Sequence, residues 1–156
     1  MVMPKLYHPK VTAAIEIFAT NYFCCAELDA QLAIDYCEAI DELLLTRNAD
    51  FFPYCGICLT QLVRDINNLI PPMDIALNNS NNNKIHHKFL VGREGIVSPV
   101  LYLRIAKHYI INQNWNKLEY NLTVLATEKY GCDEYGVTEN TDSSFQYRFW
   151  WDYSKI

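Results

Sequence analysis

The sequence predicts a helix-dominated α+β fold, with about five helices and a small C-terminal antiparallel β element. Apolar residues recur at helical spacing through much of the first 70 residues. The stretch 145–151 instead alternates aromatic and polar side chains, which is typical of a strand. The chain has 156 residues and is 51% apolar, which is enough to bury one core. We therefore expect a single domain over residues 1–156.

Three helices are predicted in the first half of the chain, over 9–25, 27–46 and 56–70. Pro9 suits the first turn of a helix, where its missing N–H costs nothing. The third helix ends before two consecutive prolines, because proline cannot donate to the helical hydrogen-bond ladder.

The middle of the chain predicts a loop, a strand and two further helices. An Asn-rich tract over 78–84 predicts a mobile loop rather than a domain boundary. A short strand is predicted over 84–91. Ser98 and the proline after it are typical of a helix start. We therefore predict a fourth helix over 99–112 and a fifth over 115–130.

The C-terminal residues predict a strand over 145–151, with a short partner strand near 135–138. Four aromatic residues are expected to face the core: Phe145, Tyr147, Phe149 and Trp151. Successive side chains of a strand point to opposite faces of the sheet, so Trp150 is expected on the other face. Because Trp and Tyr dominate the energetics of protein interfaces, Trp150 and Tyr153 are candidate anchors for a partner protein.

Charge is distributed unevenly along the chain, whose net charge is −5. Residues 11–46 contain seven acidic residues and no Lys or Arg, whereas residues 84–129 contain seven basic residues and three acidic ones. Six carboxylates fall within the second predicted helix, and four of them are candidate partner-binding residues: Asp35, Glu38, Asp41 and Glu42. One interpretation is that they form a solvated face, and that the acidic and basic halves of the chain attract each other.

A second interpretation is that the acidic helices bind a basic surface of another protein. Complementary charge raises association rates and excludes wrong partners. This hypothesis predicts an inhibitor or immunity-type protein that masks a functional surface of its partner. Direct nucleic-acid binding is disfavoured, because the chain is acidic overall and its basic stretch is too sparse.

Catalytic and membrane signals do not stand out in the sequence. There is no Gly-rich phosphate loop, no Gly-x-Ser-x-Gly and no His-Glu-x-x-His. We expect a binding protein rather than an enzyme, with no cofactor and no bound metal. No apolar run approaches the roughly 20 residues of a membrane span, and we read no secretory signal. We therefore expect a cytoplasmic location, in the protein's own cell or in a host cell, and leave the oligomeric state open.

Cys55 and Cys58 form a Cys-Gly-Ile-Cys sequence just before the third predicted helix. A helix N-terminus favours the thiolate, and a second thiol three residues later can resolve a mixed disulfide. The stretch resembles the active-site sequence of thioredoxin-like proteins, which implies thiol–disulfide redox chemistry as an alternative function. Buried structural thiols are the other interpretation. A zinc site would need two further ligands.

Residues 99–130 resemble one tetratricopeptide helix hairpin. The resemblance is carried by the spacing of Tyr102, Ala106, Trp115 and Leu118, with Leu125 where the family has Ala. It implies a helical-hairpin adaptor as a further alternative function. No second copy of the pattern occurs at the repeat spacing of about 34 residues, so an ordinary antiparallel helix hairpin fits the same residues.

Overall fold

A computed structural model describes residues 6–20, 25–46, 58–70, 87–94, 99–107, 115–141 and 143–152. The described elements form two layers, with helices on one side of an antiparallel sheet. Five elements predicted from the sequence lie wholly or partly outside these residues: the helices over 9–25, 56–70 and 99–112, the strand over 84–91 and the polar loop at 78–84.

The sheet has five strands in the described part of the chain. Their bounds are β1 Cys25–Asp29, β2 His87–Arg93, β3 Pro99–Ala106, β4 Glu134–Glu139 and β5 Ser144–Trp150. The order across the sheet is β1-β2-β3-β5-β4, and every neighbouring pair is antiparallel. β1 and β4 are therefore the edge strands.

Four helices are described. They are α1 Pro9–Thr20, α2 Ala30–Thr46, α3 Leu59–Leu69 and α4 Trp115–Val124. α4 continues into a π-helical segment, Leu125–Lys129, where the Tyr130 N–H donates to the Leu125 carbonyl. Gly131 has a φ of 57° and ends this helix, because a residue without Cβ adopts the left-handed conformation at little cost.

The two faces of the sheet differ in what covers them. Leu28, Phe89, Leu103 and Tyr147 align across four strands and are buried in one core with residues from all four helices. We call this the inner face. The alternate residues lie on the outer face, where Glu27, Tyr102 and Arg148 are part-exposed or exposed and do not belong to that core. Period-two alternation thus divides the sheet into an apolar and a polar side.

The prediction of a helix-dominated fold with a small β element is wrong, because a five-stranded antiparallel sheet organises the molecule. The largest error is the predicted helix over 99–112, since Pro99–Ala106 is the central strand β3. Leu101, Leu103 and Ile105 are buried on the inner face, and the residues between them are half-buried. The apolar residues of this stretch match the spacing of a helix as well as the alternation of a strand. The resemblance to a tetratricopeptide hairpin is wrong for the same reason, because the residues expected to form its first helix form β3.

β1 is a strand that the sequence analysis missed. Its last residues were assigned to the second helix, which in the structure begins only at Ala30. The Asp29 carboxylate accepts hydrogen bonds from the N–H groups of Gln31 and Leu32, at 3.0 and 2.9 Å. Asp29 is therefore an N-cap residue, which satisfies donors of the first helical turn, rather than part of the helix.

The C-terminal strands lie close to their predicted positions. β5 spans Ser144–Trp150, and its partner β4 spans Glu134–Glu139. Tyr147, Phe149 and Trp151 are buried, whereas Phe145 is half-buried against the core. Trp150 is half-buried on the outer face. The predicted anchor Tyr153 lies outside the described residues.

Candidate functional site

Three of the four predicted carboxylates on α2 lie on the side opposite its buried face, where Glu42 is exposed and Asp35 and Glu38 are half-buried. Asp35, Glu38 and Glu42 are spaced at i, i+3 and i+7, which places them on one stripe of a helix. The opposite side of α2 is buried in the core through Ala33, Tyr36, Cys37 and Ile40. We call Asp35, Glu38 and Glu42 the α2 surface. It faces away from the sheet.

Glu38 makes an ion pair with Arg64 of α3, with 3.2 Å between Oε1 and Nη2. Both side chains are solvent-accessible, so the pair contributes little to stability.

Asp41, the fourth predicted residue, has a structural role at the start of α3. Its carboxylate accepts hydrogen bonds from the Leu59 N–H at 2.9 Å, the Thr60 N–H at 2.9 Å and the Thr60 hydroxyl at 2.7 Å. These N–H groups belong to the first turn of α3 and have no partner within the helix. Asp41 therefore joins α2 to α3 and also neutralises part of the positive end of the α3 dipole.

Glu27, another acid of the N-terminal stretch, does not extend the α2 surface. It lies on the outer face of β1 and forms ion pairs with Lys88 at 3.2 Å and Arg104 at 3.7 Å. Both bases come from the basic stretch 84–129, so at this point the two halves of the chain attract each other within the fold. The continuous acidic surface that the charge pattern suggested is thus divided among helix caps, internal ion pairs and the α2 surface.

Trp150 lies on the other side of the sheet from the α2 surface. Its indole N–H donates to the Glu94 carbonyl at 3.0 Å, and the Arg148 guanidinium lies 5.4 Å from its ring centroid. α2 packs on the inner face, whereas Trp150 is on the outer face. The structure therefore does not bring the predicted aromatic anchor and the predicted carboxylates together.

Arg148 is the centre of a charged network on the outer face. Its guanidinium donates to Glu94 through Nε and Nη2, and to Glu134 through Nη1 at 2.7 Å. Burial opposes its charge, but the hydrogen bonds to the two carboxylates raise the pKa of Arg148. The Tyr102 hydroxyl also donates to Glu94. Burial and this hydrogen bond raise the pKa of Tyr102 to about 12, so its hydroxyl stays protonated at neutral pH.

A groove of about 680 Å³ runs beside this network over β3, β5 and β4. A Cβ at Gly136 would have no atom within 4 Å, so the missing side chain there leaves the groove open. Sequence reasoning missed this site, although the alternation of Tyr102 and Arg104 with buried Leu and Ile was the signal that could have revealed it. The groove is lined by Tyr102, Asp133, Glu134, Tyr135, Gly136, Val137, Thr138, Gln146 and Arg148.

Cys58 is the N-cap residue of α3 rather than one turn inside the helix, where the Cys-x-x-Cys hypothesis places it, and Cys55 lies outside the described residues. The Cys58 thiol accepts from the Gln61 N–H at 3.4 Å and donates to the Asp41 carboxylate at 3.5 Å. Burial and the neighbouring Asp41 carboxylate raise the pKa of Cys58 despite the helix N-terminus. The redox hypothesis assigns the reactive thiolate to Cys55, which lies outside the described residues, so the raised pKa of Cys58 does not test it.

We expect Cys58 to be alkylated slowly at neutral pH. Its raised pKa means that the reactive thiolate becomes abundant only at a higher pH than for an unperturbed thiol of pKa about 8.5. The measurement is the rate of iodoacetamide modification at Cys58 against pH, followed by peptide mass spectrometry. In Asp41→Asn the rate profile should shift to lower pH. A wild-type midpoint well below pH 8 would contradict this assignment and favour a redox thiol.

No group of three or more His, Cys, Asp or Glu side chains among the described residues is arranged to hold a metal ion. Among the helices the structure describes, none is both long and apolar enough to cross a membrane.

Comparisons with protein-family models, with curated proteins and with solved structures find no match to this chain.

Proposed function

We propose that this protein binds another protein and masks a basic functional surface of it, as an inhibitor or immunity-type protein does. The observation that supports this most is the α2 surface, where Asp35, Glu38 and Glu42 point away from a helix whose opposite side is fixed in the core. A rigid helix presents charges at constant spacing, which lowers the entropic cost of binding.

Electrostatics favours a cationic partner for this surface. In the stretch 11–46 no Lys or Arg occurs in the sequence, and Arg64 of α3 is paired with Glu38. A cluster of carboxylates raises the rate at which a basic surface associates, and the effect weakens as salt screens the charges. Such a protein would compete with phosphate groups for its partner.

We also propose a cytoplasmic location, in the protein's own cell or in a host cell. Cys37, Cys58 and Cys132 are free thiols in the described part of the chain. Free cysteines of this number are typical of a reducing compartment.

The test is charge reversal on the α2 surface. The double variant Asp35→Lys, Glu42→Lys leaves the Glu38–Arg64 pair intact, and it should slow association with the captured partner by about tenfold at low salt. Partners are first isolated from lysate by affinity capture, and association rates are then measured by surface plasmon resonance. Capture counts in favour of the proposal only when the double variant loses it.

A matched control carries the same change of charge on another helix. Glu119→Lys, Glu128→Lys alters α4 and its π-helical end, and it should leave the association rate within about twofold of the wild type, because the effect of a charge falls off over the Debye length. Equal slowing by both double variants would mean that only net charge matters. An unchanged rate for Asp35→Lys, Glu42→Lys at low salt would contradict the proposal.

A further inference from the structure

β4 is an edge strand whose second side is open in the described structure. It pairs with β5 through six residue pairs, from Glu134 opposite Trp150 to Glu139 opposite Phe145. No other described strand pairs with it. An edge of this kind presents unpaired backbone N–H and C=O groups that can pair with another chain.

The hydrogen-bond register shows which backbone groups face the open edge. The Asn140 N–H donates to the Ser144 carbonyl at 2.8 Å, so residues 140 and 144 form a hydrogen-bonded pair. Hydrogen-bonded pairs recur at every second residue of an antiparallel ladder. The even-numbered residues of β4 therefore bond to β5, and Tyr135, Val137 and Glu139 direct their backbone groups to the edge.

The side chains beside this edge differ between the two faces of the sheet. On the outer face, Glu134 is 60% exposed and lies at the end of the Arg148 network, beside the groove. On the inner-face side, Val137 is 48% exposed, and it is one of few large apolar side chains exposed in the described part of the chain. The edge thus offers the Glu134 carboxylate on the outer face, whereas the inner-face side offers Val137 beside Glu139, whose carboxylate is paired with Lys107.

We propose that the open edge of β4 binds an extended segment of another protein by strand addition, and that this segment alternates basic and apolar residues. Successive side chains of an added strand point to opposite faces. The basic set would lie over the outer face, where Lys or Arg can reach Glu134 and the groove. The apolar set would cover Val137. The inference goes beyond the proposed function, since it concerns a different surface from α2.

The charges around the groove favour a basic segment over an anion. All three donor positions used by Arg148 are directed at Glu94 and Glu134, so an anionic ligand would have to displace a carboxylate. Asp133, which also lines the groove, adds a further negative charge. A cation would instead be attracted, because the carboxylates of Glu94, Glu134 and Asp133 outnumber the one guanidinium of Arg148.

The same charges disfavour a second copy of this chain as the occupant. β4 contains Glu134 and Glu139 and no base. Two β4 strands placed side by side would line one interface with the carboxylates of both copies and no base from either strand, and like charges on neighbouring strands are destabilising. Charged edge residues are a common means by which proteins prevent self-association.

Fluorescence anisotropy with the full chain and a labelled, blocked peptide Lys-Val-Lys-Val-Lys-Val tests the proposal. We expect saturable binding that is at least about tenfold tighter than binding of the matched Glu-Val-Glu-Val-Glu-Val peptide. Val137→Pro should weaken binding by about tenfold or more, because proline removes an edge N–H and spares the ladder to β5. Val137→Thr keeps that N–H and the strand preference, and it should bind within about threefold of the wild type.

Further variants keep the test decisive. Circular dichroism establishes whether Val137→Pro folds. If it does not fold, Glu134→Lys on the outer face takes its place, with an expected loss of about tenfold. The α2 double variant should bind the peptide normally, so failure here is distinct from failure of the proposed function. Equal binding by wild type and Val137→Pro, equal binding of both peptides, or dimerisation of the chain without peptide binding would each overturn the proposal.

Discussion

Replacing Asp41 with Ala is expected to lower the free energy of unfolding by about 2–3 kcal/mol, because the start of α3 loses its cap and three charge-assisted hydrogen bonds. The carboxylate accepts from two backbone N–H groups, of Leu59 and Thr60, and from the Thr60 hydroxyl. Thr60 is 6% exposed, so solvent replaces these bonds poorly. The measurement is urea denaturation followed by circular dichroism.

Asp35→Ala is the matched control for this prediction. It removes a carboxylate from the same helix at a position on the α2 surface, and its effect should stay within about 0.5 kcal/mol. Asp41→Asn should fall between the two, since the amide oxygen can still accept but the negative charge at the helix N-terminus is lost. Equal stability of Asp41→Ala and the wild type would show that Asp41 does not cap α3. For this reason Asp41 is not used in the binding test.

Replacing Trp151 with Ala should be the most destabilising substitution, by about 3–5 kcal/mol, because it empties a large core volume. Trp151 is 1% exposed, and its indole N–H donates to the Tyr130 carbonyl at 2.8 Å in the buried interior. The variant loses both the apolar burial and this hydrogen bond. Thermal and urea unfolding measure the loss.

Trp150→Ala is the neighbouring control, and its cost should be about 1–2 kcal/mol. Trp150 is half-buried on the outer face, where it bonds the Glu94 carbonyl and lies against Arg148. A hydrogen bond and a cation–π contact at a part-exposed site account for a loss of this size. Equal losses from the two substitutions would contradict the assignment of these tryptophans to opposite faces of the sheet.

Local patterns predicted the elements whose signal is unambiguous. The helix near 115–130 is found as Trp115–Val124 with its π-helical end at Leu125–Lys129, and the aromatic alternation of the tail matches β5. β3 was not recognised, because a nearly continuous apolar string fits a helix and a buried strand equally well. A central strand of this kind is distinguished by its neighbours in the sheet, which come from residues far away in the sequence.

In the candidate site, too, local spacing predicted what lies within one helix but not the contacts between residues that are distant in the sequence. The helical spacing placed Asp35, Glu38 and Glu42 together correctly on one stripe. Asp41 lies on the same helix, one residue before Glu42. Its role nevertheless depends on Thr60, which is 19 residues away along the chain. Glu27 meets Lys88 and Arg104 only through the register of three strands. Net charge along the sequence therefore overstated the acidic surface.

The two proposed binding surfaces lie on different parts of the molecule. The α2 surface faces away from the inner side of the sheet, whereas the β4 edge and its groove open beside the outer face. One partner can occupy either surface without covering the other, so variants at each can be examined independently and their effects should add.

The most direct test of the central claim is amide chemical-shift mapping of the ¹⁵N-labelled chain during titration with its captured basic partner. The account predicts that the largest shifts include the amides of Asp35, Glu38 and Glu42, and that added salt reduces the affinity, because the contact depends on exposed charges. It also predicts that Asp35→Lys, Glu42→Lys abolishes those shifts while the unbound spectrum stays that of a folded protein. Shifts confined to other surfaces, with full affinity retained in the double variant, would contradict it.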